Sequence, residues 1–81
     1  MSSLEEAKSI ALEYAKKENP HVREMRVTSA EESLSGDKWI VVISWPVNDE
    51  TISGTQYAKI TVKDNGEVVG YKLQLHGMDV G

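Results

Sequence analysis

The chain contains no cysteine. Neither a disulfide nor a thiolate metal site holds the fold, and packing must do so alone. No window approaches the roughly 18 apolar residues of a membrane span. The opening residues, Met1 to Glu6, lack the basic and apolar regions of a signal peptide. A soluble, cytoplasmic protein without membrane association is therefore expected. No Walker loop and no G-x-G-x-x-G segment occurs, so a glycine loop cradling phosphate is not indicated. Internal repeats, linkers and low-complexity stretches are also missing.

Histidine is scarce, with only His21 and His76. Nucleophilic catalysis wants a hydroxyl or thiol beside a positioned base. His21 follows a helix-breaking Pro20, and His76 sits where the last strand ends, so both read as surface histidines. Metal ligation wants closely spaced His or carboxylate groups. The one acidic loop cluster, Asn48-Asp49-Glu50, lacks the remaining positions of a calcium loop and reads as solvated. No carboxylate pair stands out as an acid/base couple. The expectation is a protein that is not an enzyme and uses no cofactor or metal.

What is present suits one small α+β domain. Its 81 residues, 40% apolar, are enough for one globular unit. A chain of this size buries only about 60% of its unfolded surface. The ordered core is expected over residues 3–75, with a frayed tail over 76–81. Nine basic and thirteen acidic residues give a net charge of −4. That sign argues against nucleic acid as a partner.

The segment Ser3 to Glu6 fits a capping box, with Ser3 as N-cap. From there Leu4, Ala7, Ile10, Ala11, Tyr14 and Ala15 fall in an arc about 140° wide at 100° per residue. Leu12 lies outside that arc. Acids begin the helix and lysines end it, which suits the helix dipole. Asn19-Pro20 stops it. The alanines let the helix sit close to whatever it packs on.

Beyond Pro20 the period becomes two. Strands are expected over Val22 to Ser29, Lys38 to Trp45, Gln56 to Lys63 and Val68 to Leu75. Ala30 to Asp37 reads as a loop. Pro46 is expected to end the second ladder. Residues 46–54 form either a long connection or a longer hairpin. A two-residue Asn65-Gly66 turn of type I′ would pair Val62 with Val69, Ile60 with Tyr71 and Ala58 with Leu73. The expected fold is thus one N-terminal helix on one face of a four-stranded antiparallel meander. Its core would comprise the helix arc with Met25, Val27, Trp39, Val41, Ile43, Trp45, Ala58, Ile60, Val62, Val69, Tyr71, Leu73 and Leu75.

Trp39 and Trp45 share a face as core fillers; alternatively Trp45, beside Pro46, rims a groove. The uncovered sheet face carries Tyr57, Lys59, Thr61, Lys63, Val68, Gly70, Lys72 and Gln74, with Lys59 directly opposite Lys72. Lys38 and Arg26 share it, as do Ile40 and Val42. Lys38, Ile40, Val42, Tyr57, Lys59 and Lys72 are the candidate partner-binding residues, for a protein or peptide partner of acidic character. The bland alternative is that the lysines merely solubilise the face. A homodimer offers another use, through this face or through the Val68–Leu75 edge strand. A monomer is equally compatible with the sequence.

Helix, strands and final hairpin together resemble a PepSY-type domain, a small cystatin-like α+β module. The likeness spans roughly residues 4–75. It lies in the opening "EEAKSIALEYAKK" helix and in the closing "YAKITVKDNGEVVGYKL". There Asp64-Asn65-Gly66-Glu67-Val68 matches D-x-G-E-V, one residue shorter than the usual D-x-x-G-E-V turn. The resemblance implies a non-catalytic module that binds or inhibits peptidases, or regulates a larger protein, often outside the cytoplasm. It supplies no catalytic residues.

Overall fold

Ala7, Ala11 and Ala15 recur every four residues along α1 (Leu4–Glu18) and are fully buried. Their small side chains bring the helix axis close to the sheet beneath. The computed structural model describes residues 4–48 and 53–76. After α1 come β1 (Arg26–Glu32), β2 (Lys38–Asn48), β3 (Ser53–Lys63) and β4 (Val68–His76). The strands form one four-stranded sheet in the order β1-β2-β3-β4, every neighbouring pair antiparallel. This is the expected α+β meander with a helix on one face. Ser3, the expected N-cap, lies outside the described residues.

The core forms between the alanine stripe and alternate residues of the two central strands. Val41, Ile43 and Trp45 of β2 and Ala58, Ile60 and Val62 of β3 are buried. Each fully buried Val or Ile side chain contributes about 1.5–3 kcal/mol relative to exposure. Met25, Val27, Trp39 and Tyr71 pack against this cluster half-buried, and so does Leu12 from outside the apolar arc.

The helix ends where Asn19-Pro20 requires. The Asn19 N–H donates to the Ala15 carbonyl at 3.0 Å, and its side-chain Nδ2 donates to the same oxygen at 3.0 Å. The same Nδ2 donates to the Tyr71 hydroxyl at 2.8 Å. Tyr71 also meets Tyr14 edge-to-face, with ring centroids 5.2 Å apart at 66°. These contacts tie the end of α1 to β4.

Several boundaries differ from the sequence expectation. β1 starts at Arg26 rather than Val22 and runs on to Glu32, through part of the expected loop. Pro46 does not end its ladder: β2 continues to Asn48 and pairs Pro46 with Thr55. β1 has already ended opposite Ser44. Among the described residues, one side of β2 therefore has no strand partner at Pro46, the kind of site where a missing donor is tolerated. Of the two readings of residues 46–54, the longer hairpin agrees with the ladder, which runs as far as Asn48↔Ser53; residues 49–52 lie outside the described residues. His76 belongs to β4 rather than to a tail; residues 77–81 lie outside the description.

The last hairpin departs from the two-residue turn. The Gly66 N–H donates to the Lys63 carbonyl at 2.8 Å, and the Lys63 N–H donates to the Glu67 carbonyl at 2.7 Å. The loop is therefore three residues, Asp64-Asn65-Gly66, with only Gly66 at positive φ (93°). A type I′ turn would need positive φ at Asn65 too. Asn65 instead keeps negative φ, and its Oδ1 accepts from the Glu67 N–H at 3.0 Å. The longer loop pairs Val62 with Val68, and a bulge at Val69 then restores Thr61↔Gly70, Ile60↔Tyr71 and Ala58↔Leu73. Val68, expected on the open face, packs against the core, and Val69, expected inside, is 47% exposed.

Leu73 is the other correction. It pairs with buried Ala58 on the helix side, yet it is 46% exposed. The helix lies over β1, β2 and β3, and reaches β4 through Tyr71. The apolar side of this edge strand is left partly bare.

Candidate functional site

The face turned away from α1 is built by strand alternation. With Val41, Ile43, Ala58 and Ile60 inward, their neighbours Ile40, Val42, Lys59 and Thr61 must point outward. The pairing lines up three rows on this outer face. One is Glu31–Ile40–Thr61–Gly70, the next is Ser29–Val42–Lys59–Lys72, and the third is Arg26–Ser44–Tyr57–Gln74.

The middle row sets two lysines side by side. Lys59 on β3 lies directly opposite Lys72 on β4, as the apolar pattern implies, and both are exposed. Like charges placed this way repel. The positions beside them carry Val42, Thr61, Gly70, Tyr57 and Gln74, so no carboxylate adjoins the pair on the sheet. A second like pair, Lys38 with Lys63, closes the same face toward the hairpin tip, with Glu67 beyond Lys63. The sequence placed Lys38 and Lys63 on the face but did not pair them. Register was the missing signal.

A recess of about 370 Å³ opens at the lysine pair, lined by Val42, Tyr57, Lys59, Lys72 and Gln74. Its volume falls in the small-ligand range. Val42 is half-buried and gives it an apolar floor; two ammonium groups and one amide stand around it. Thus Lys59, Lys72, Tyr57 and Val42 are brought together. Ile40 is one row away and half-buried, while Lys38 sits at the far end with Lys63. Gln74, absent from the candidate residues, joins the recess because it pairs with Tyr57.

Nearby, Ser44 is buried on this outer face, 7% exposed, and its Oγ shares a hydrogen bond with Thr28 Oγ1. A bulge in β1 between Val27 and Ser29 presents Thr28 to it. The pair gives each hydroxyl a hydrogen-bonding partner. On the helix side, a separate recess of about 470 Å³ lies between the end of α1 and the sheet, with Trp45, His21 and Leu73 in its walls. Trp45 lines a groove there while also filling the core, being 5% exposed.

Among the described residues, no group of three or more His, Asp or Glu side chains is placed to hold a metal ion. No helix among them is long and apolar enough to cross a membrane. Compared with known proteins, no family model matches the chain, and neither a curated protein nor a solved structure matches it.

Proposed function

We propose that this chain is a non-enzymatic binding or regulatory module of the cytoplasm. It takes a carboxylate-bearing protein or peptide segment on the open face of its sheet. The observation that carries this reading is the Lys59–Lys72 pair standing over an apolar-floored recess, with no acid at the described sheet positions beside it. Paired lysines oppose folding slightly. Local rules broken in this way tend to mark functional surfaces. A carboxylate set between the two ammonium groups would turn their repulsion into two charge-assisted contacts. An apolar neighbour of that carboxylate would rest on Val42. The PepSY-type resemblance points in the same direction, toward a module that acts by holding another protein.

A titration with an acidic, partly apolar peptide, followed by amide chemical shifts, tests this. Shifts are expected at Val42, Tyr57, Lys59, Lys72 and Gln74, and they should weaken as salt is added. The Lys59→Glu, Lys72→Glu double variant should keep its circular dichroism spectrum and lose the shifts. Unchanged binding by that variant, or shifts confined to the helix, would remove the open face as the site.

A further inference from the structure

The two edges of the sheet are unlike. β1 is seven residues long, is bulged at Thr28, and carries Arg26, Glu31 and Glu32. These are the devices by which proteins prevent strands from adding to an edge. β4 has fewer of them: beyond its first residues only Lys72 is of that kind. From Gly70 to His76 it runs without a bulge, contains no proline, and bears a single formal charge, at Lys72. Exposed apolar bulk collects on the same strand. Of the three large hydrophobic side chains exposed among the described residues, Val69 and Leu73 belong to β4; Leu34 is in the β1–β2 loop. α1 stops short of covering this side.

We infer that β4 is a self-pairing edge. Two copies join antiparallel along it about a two-fold axis at Leu73, which doubles the four-stranded sheet. The register follows from the strand itself. Leu73 is the midpoint of the regular stretch Gly70–His76, so an axis there uses the whole stretch. It sets Leu73 against Leu73 of the second copy. On the open face it sets Lys72 against Gln74 of the second copy. An axis one residue earlier would oppose the two Lys72 ammonium groups, which charge repulsion disfavours.

A second copy fits better than an unrelated strand because this edge complements itself. Ammonium meets amide on both sides of the axis, Lys72 with Gln74, and exposed Leu73 meets its own copy at the axis. The assembly also closes. Pairing consumes both β4 edges and leaves only the two guarded β1 edges, so no filament grows. Contact along one strand edge is smaller than the roughly 1,000 Å² of a stable interface. The dimer is accordingly weak and depends on concentration.

Sedimentation equilibrium between about 10 µM and about 1 mM tests the inference, since weak interfaces dissociate across such a range. The expected result is a monomer that becomes a dimer and grows no further. Leu73→Lys places two ammonium groups at the axis and should weaken association roughly tenfold or more, with circular dichroism confirming the fold. The Leu73→Cys variant should cross-link to itself with a short thiol-reactive linker, whereas Glu31→Cys on β1 should not. The Lys59→Glu variant, which alters the proposed peptide site on β3 and leaves β4 untouched, should still dimerise. A monomer throughout the range overturns the inference. So does a dimer indifferent to Leu73→Lys, or one that cross-links through position 31. Association lost only in Lys59→Glu would move the contact to the open face and also overturn it.

Discussion

The side-chain amide of Asn19 bridges two elements, donating to the Tyr71 hydroxyl at 2.8 Å and to the Ala15 carbonyl at 3.0 Å. One residue thus finishes the helix and fastens it to the edge strand that the helix does not cover. Tyr71→Phe removes the hydroxyl but keeps the ring against Tyr14. It should cost about 0.5–1.5 kcal/mol, the net worth of one hydrogen bond. Asn19→Ala also forfeits the bond to Ala15 and should cost more. Urea unfolding of both variants checks the order.

Gly66 carries the hairpin loop at φ 93°, and a Cβ built there would come 3.5 Å from Ile10 Cδ1. That contact is ordinary; the strain lies in the backbone. Gly66→Ala should therefore destabilise by about 1–2 kcal/mol. For a domain of this size each kcal/mol corresponds to a fall of roughly 4–8 °C in Tm. A thermal melt reads the change directly.

Ala11 sits fully buried in the middle of the helix stripe. Ala11→Leu would push α1 off Val41 and Ile43, and should cost about 1–3 kcal/mol through overpacking. The same change at exposed Glu13 should leave stability within about 0.5 kcal/mol of the parent. The contrast between the two in one denaturation series tests which helix face is covered.

Lys72→Gln should separate stability from binding. Removing one member of the like-charge pair should raise stability by about 0.2–1 kcal/mol at low salt. The gain should shrink near 1 M salt, where screening acts over about 3 Å. Affinity for an acidic peptide should fall in the same variant. Equal stability at every salt concentration would show that the two ammonium groups do not repel.

Asp37 offers a pH-dependent check in the β1–β2 loop. The Ser35 hydroxyl donates to its carboxylate and holds its pKa below the ordinary value; the nearby Lys38 charge adds to this, and desolvation opposes it. A lowered folded-state pKa favours folding above the unfolded value, near 3.9. That contribution disappears as pH falls through the lowered value. The carboxyl titration followed by NMR should move up toward the ordinary value in Ser35→Ala. No movement would assign the shift to another cause.

The fold was legible because two periods are written plainly in the chain. The alanine repeat marks the covered helix face, and alternation in β2 and β3 marks the inward side chains. Lys59 opposite Lys72 was likewise readable, since that register sets Ile60 against Tyr71 and Ala58 against Leu73 on the other face. The hairpin tip was not. Asn65-Gly66 suits either a two-residue or a three-residue loop, and the choice turns on φ at Asn65 and on packing at Val68, which no local pattern encodes. The exposure of Leu73 was hidden as well. Its alternation points it toward the helix, but whether the helix reaches that far is a matter of tertiary placement. Pro46 misled for a related reason: its penalty depends on whether a neighbouring strand is present.

The bulge at Val69 uncouples the length of the hairpin tip from everything beyond it. Because this residue has no partner across the ladder, a chain lacking it would still seat Gly70 beside Thr61 and Lys72 beside Lys59. The tip can therefore shed one residue in the course of descent while the charged rows of the outer surface keep their parity.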